Sequence, residues 1–96
     1  MTYNKGRAFY LQEQKVKRLE RELRELQRDE EGLAEKITQT ERKLVADGIA
    51  EAERQRLLKE LRHYEQMKPE NRAEYHQLSR ELHWEQQKLD RLQLEQ

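Results

Sequence analysis

Ninety-six residues with a mass of 11.8 kDa make one domain at most, and a chain of this size buries only roughly 60–65% of its unfolded surface. Hydrophobic residues make up 33% and charged residues 42%, with one Pro, three Gly and no Cys, and mean hydropathy is −1.40. These values exclude a membrane span, a disulfide scaffold and a zinc–cysteine site, and they leave too small a core for a large enzyme. The 20 cations balance the 20 anions, so net charge calls for no nucleic acid, anionic lipid or acidic substrate.

Composition points to long helices. Glu, Arg, Lys, Leu and Gln dominate and β-branched residues are scarce, the signature of coiled coil. Nothing after Met1 reads as an apolar leader, so no targeting segment is expected and the expected compartment is the cytoplasm.

From Phe9 onward, apolar residues recur at alternating spacings of three and four, which keep one stripe of a helix facing a partner helix. Phe9, Val16, Leu23, Ile37 and Leu44 form one series and Leu19, Leu26 and Leu33 the other. Gln12, Glu30 and Thr40 interrupt them. The pattern predicts a helix over residues 7–46, about 60 Å long at 1.5 Å per residue. Ala46-Asp47-Gly48 should end it, because Gly most cheaply adopts the left-handed conformation that closes a helix.

After a turn at 47–49, a second helix is predicted from residue 50, with Glu51 and Glu53 in its first turn complementing the helix dipole. Its stripe comprises Leu57, Leu61, Tyr64, Tyr75, Leu78, Leu82, Leu89 and Leu92, interrupted by Lys68, Asn71 and Glu85. Proline inside a helix removes one backbone donor and crowds the preceding turn, at about 3 kcal/mol. The second arm is therefore expected to kink or break near Pro69, giving helices over 50–67 and 69–95.

Two long helices joined by a short turn must lie antiparallel. The expected fold is all-α: one domain over residues 1–96, a long antiparallel helical hairpin with a coiled-coil seam. Glu30, Lys68 and Asn71 stand at similar distances from the turn and are expected to share one polar layer that sets register. Glu13 with Lys17 and Glu20 with Arg24 have the favourable i,i+4 orientation, at about 0.2–0.5 kcal/mol each.

Four features were weighed for function. Tyr3, Tyr10, Leu11, Trp84 and Leu94 fall outside the stripes near the open end of the hairpin, where either residues 3–7 fold over and cap the end or these side chains form a surface for a partner or a second copy. Asp47, Glu51 and Glu53 make an acidic tip, explained by helix-terminus electrostatics unless the tip enters a partner. His76 and His83 share a helix face two turns apart, too far for one metal ion, and His63 stands alone, so solvated histidines are expected. Arg21, Arg24 and Arg28 form a basic stripe, but Glu20, Glu22 and Glu25 interleave with it, so a solvated face is favoured over a nucleic-acid interface. No nucleophile constellation or phosphate loop is present, and no catalytic residue, cofactor or metal is expected.

The run Glu70-Asn71-Arg72-Ala73-Glu74-Tyr75-His76 resembles the ENAEYH motif at the hairpin tip of bacterial transcript-cleavage factors of the Gre type, and Leu19-Glu20-Arg21-Glu22-Leu23 resembles part of that family's first helix. Here Arg72 is inserted, Lys68-Pro69 replaces the family's Gly-Asp-Leu, and only Glu70 of the acidic pair has a counterpart. The resemblance implies a regulator that inserts a hairpin into RNA polymerase, with an acidic pair at the tip helping to hold magnesium.

The favoured expectation is a non-enzymatic structural or protein-interaction module that self-associates as a homodimer or four-helix bundle, because a two-helix hairpin buries only one narrow stripe. A Gre-like regulator and a weak nucleic-acid binder are the alternatives.

Overall fold

The computed structural model describes the backbone of residues 5–95 and the side chains of residues 6–95. It is an all-α helical hairpin. The 40-residue helix α1 (Lys5–Leu44) is followed by the 44-residue helix α2 (Glu51–Leu94), and no strand occurs among the described residues. No helix there is long and apolar enough to cross a membrane.

The turn forms where the sequence places it, for the expected reason. Gly48 has φ +79°, the left-handed conformation that L side chains resist. α1 ends two residues earlier than expected, at Leu44, because its last turn tightens: Ala46 N–H donates to Lys43 O at 3.3 Å, after Val45 N–H donates to Glu41 O at 3.2 Å. Such tightening is common where helices run out of partners. On the far side, Arg54 N–H donates to Ala50 O at 3.0 Å, so Ala50 occupies the capping position and α2 starts at Glu51.

α2 does not break at Pro69. The helix continues through it, which corrects the expected division into 50–67 and 69–95. Pro69 and Glu65 are both exposed, so the carbonyl of Glu65, deprived of its donor, lies on a wet face where water can satisfy it. The cost of the proline is then borne by the flanking turns.

The hairpin divides into two compact units, one formed by residues 1–25 with 75–96 and the other by residues 26–74. In the first, Val16, Leu19 and Leu89 are buried, with Phe9, Leu23, Tyr75, Leu78, Leu82 and Leu92 half-buried beside them. In the second, Leu33, Ile37 and Leu57 are buried, with Leu26, Leu44, Leu58, Leu61, Tyr64 and Met67 half-buried. Every residue of the expected stripes thus lies on an inward-facing side. Leu19 and Leu57 are the most deeply enclosed.

The second unit corrects the expected polar layer. Glu30 and Lys68 are both exposed, and only Asn71 is half-buried. The seam steps instead from Tyr64 to Met67 to Asn71, and these three line a groove of about 290 Å³ together with Gly32, Leu33 and Lys36. The side chains at this level of the seam differ from those expected. Glu30 and Lys68 have long stems that reach water, so exposure avoids the desolvation that a buried layer would impose. Met67, unbranched and adaptable, takes the place of Lys68 opposite the side-chain-free Gly32. Lys36 Nζ stands 5.9 Å from the centre of the Tyr64 ring, a cation–π contact bridging the two helices.

A Cβ on Gly32 would meet nothing within 4 Å, so Gly32→Ala should gain helix propensity without a clash and raise stability by about 0.5–1 kcal/mol, whereas Gly48→Ala should lower it. Denaturant titration of both variants checks this, and destabilisation by Gly32→Ala would mean that the groove is closed. Leu19→Ala and Leu57→Ala should each cost about 2–5 kcal/mol in the same titration, while Arg18→Ala stays within about 0.5 kcal/mol.

Candidate functional site: an exposed groove and a buried clasp

Exposed apolar side chains stand out on a chain this polar. Tyr10 (58% exposed), Leu11 (56%), Trp84 (62%) and Leu94 (87%) all lie in the first unit, away from its seam, and Val45 (81%) stands in the turn. Tyr3 falls outside the described residues. The expected surface residues are therefore solvent-facing, but they do not gather in one depression. Trp84 lines a shallow groove of about 590 Å³ with His76, Ser79, Arg80 and His83, and neither Tyr10, Leu11 nor Leu94 contributes to it.

Spacing explains this grouping. Positions 76, 80, 83 and 84 recur at four, three and one residues, which places them on one face of α2, and Ser79 borders it. The indole of Trp84 and the ring of His76 flank Arg80, and the lining includes no carboxylate. Arg80 makes no ion pair among the described residues, and Gln87 Nε2 lies within hydrogen-bond distance of His83 Nε2, at 3.2 Å. The shared face of His76 and His83 was visible in the sequence. Its union with Arg80 and Trp84 was missed, although the i,i+4 step from 80 to 84 carried the signal.

The other candidate residues are placed more plainly. Asp47, Glu51 and Glu53 are exposed; Glu51 accepts a hydrogen bond from Gln55 at 3.0 Å, and Glu53 pairs with Arg56 at 3.2 Å. Glu13 and Lys17 form the expected pair at 3.4 Å, whereas Glu20 and Arg24 are not ion-paired. Lys17, Arg18, Arg21 and Arg24 border a smaller depression that also includes Glu20, so an anion stands within the basic stripe. Residues 70–76 lie inside α2. The segment that resembles the Gre-type tip motif is therefore not at the turn of this hairpin. Among the described residues, no three His, Asp or Glu side chains gather as a metal ion would require.

The polar layer expected in the middle of the hairpin has a counterpart in the first unit. Glu85 is only 6% exposed. Gln12 Nε2 donates to its Oε2 at 2.6 Å and to its backbone carbonyl at 2.8 Å. Lys15 Nζ stands 3.1 Å from Oε1, and Lys88 Nζ 3.5 Å from the same atom. Gln12 and Glu85 are polar interruptions of their stripes in the sequence, and pairing them needs only the register. A buried carboxylate is costly unless its lone pairs are filled. Here they are, from both helices, so a slip by one turn would strand the charge. The clasp thereby holds the two segments in register.

The hydrogen bond from Gln12 is the main cause that holds the Glu85 carboxyl below its ordinary value; burial opposes it, and Lys15 and Lys88 add to the lowering. A carboxylate with a depressed folded value stabilises the fold above its unfolded value and loses that contribution as pH falls through the folded one. Thermal melts should therefore show stability declining as pH drops below about 4.5. A Glu85→Gln variant should decline less over the same range, and identical pH profiles would remove Glu85 as a source of the dependence.

Comparisons with protein-family models, with curated proteins and with solved structures gave no significant match.

Proposed function

We propose that this chain is a non-enzymatic, cytoplasmic coiled-coil module whose function is protein interaction, beginning with association between copies of itself. The observation that carries this reading is Trp84, 62% exposed on a groove of about 590 Å³. A large aromatic side chain left in water on a helix face whose other lining residues are all polar is the kind of residue that anchors interfaces. Tyr10 and Leu11, also more than half exposed, extend the apolar area available in the same unit. The economy of the fold supports the same reading, because two helices sharing one stripe leave apolar side chains outside it, among them Tyr10, Leu11, Trp84 and Leu94, to be covered by something else.

The test is molar mass by light scattering over a range of concentrations. Wild type should rise above 11.8 kDa with concentration, and the Trp84→Ala, Leu11→Ala double variant should stay at the monomer mass. A wild type that remains monomeric throughout would overturn self-association, and a variant that associates as wild type does would remove these side chains from the interface.

A further inference from the structure

Resting on the reading of self-association, we infer that the partner of the Trp84 groove is the hairpin turn of a second copy, with Val45 set against the indole and the carboxylates of Asp47 and Glu51 facing Arg80. Three observations carry this. The groove is lined by an indole, two imidazoles, a hydroxyl and an unpaired guanidinium, with no carboxylate. The turn offers the opposite: between Lys43 and Arg54, residues 45–53 contain Asp47, Glu51 and Glu53 and no Lys or Arg. Val45 stands 81% exposed beside them, an apolar knob next to the acids.

Charge decides against the simplest alternative. If the groove met its own copy about a twofold axis, Arg80 would meet a second Arg80 with no carboxylate in either lining to offset it, which an interface avoids. The turn meets the groove with opposite charge and with one apolar side chain for the indole. Within the turn, Glu53 is engaged by Arg56 and Glu51 holds only the neutral Gln55. Asp47 and Glu51 are therefore the acids open to an external cation. Each copy carries both halves of the contact, so no other protein is required.

Charge reversal in trans tests this contact separately from self-association. Arg80→Glu and Glu51→Lys, each checked for folding by far-ultraviolet circular dichroism, should each weaken association at least about tenfold, the typical cost of placing like charges across an interface. An equimolar mixture of the two should recover it, because the reversed turn then meets the reversed groove while the native turn meets the native groove. The neutral variants Arg80→Gln and Glu51→Gln should each weaken association less than the reversals, and their mixture should recover it in part, because one of its two contacts is then native; this pair also covers a reversal variant that fails to fold. Association of wild type should fall as salt is raised. If wild type associates and the reversal variants associate equally well, or their mixture shows no recovery, the turn is not the partner even though self-association stands. If wild type never associates, both readings fall.

Discussion

A pair of helices can bury only the side chains that face each other, and everything else about this molecule follows from that narrow contact. A stripe of two or three positions per heptad leaves most of each helix in water, where Glu, Lys, Arg and Gln are cheap to hold. Local pairs such as Lys17 with Glu13, or Arg56 with both Glu53 and Glu60, decorate those faces and contribute little individually. Stability must come from a few enclosed residues: Val16, Leu19 and Leu89 in one unit, Leu33, Ile37 and Leu57 in the other. With so little buried, each of these carries a large share.

A seam of leucines alone specifies register weakly, because one apolar layer resembles the next. The clasp at Glu85 removes that degeneracy. Its carboxylate is filled by Gln12 and Lys15 from α1 and by Lys88 from its own helix, and any other alignment would leave it buried without those partners. Among the described residues no buried side-chain nitrogen or oxygen lacks a partner. The polar atoms in the seam therefore act as specificity devices and leave no strain to be used elsewhere. Thr40, buried in the other unit, solves the same problem locally by donating to Lys36 O at 2.8 Å.

Function, on this view, belongs to what the seam cannot cover. The Trp84 groove and the acidic turn stand out against the mixed-charge background: the lining of one includes no carboxylate, and the other gathers three acids between Lys43 and Arg54. Elsewhere the signs alternate closely enough to cancel, as in the depression near Arg21 and Arg24, where Glu20 intrudes. Segregated charge beside an exposed apolar group gives orientation as well as attraction, and orientation is what an assembly of otherwise similar rods requires.

Periodicity and the glycine at position 48 determined that this chain makes two helical arms, where they turn and which leucines of the stripes face inward, because both act over a few residues at a time. Three matters were decided only by the tertiary arrangement. Pro69 sits inside α2 without ending it, since the orphaned carbonyl lies on a wet face and packing of the neighbouring turns outweighs the local penalty. Met67 and Gly32 replace Lys68 and Glu30 at the seam, since a long charged side chain can leave a helix interface for water while its backbone position stays unchanged. Gln12 meets Glu85, because burial and facing depend on how two helices are rotated about their axes. A one-dimensional pattern gives the period of that rotation and leaves its local adjustment to side-chain size and to the cost of removing charge from water.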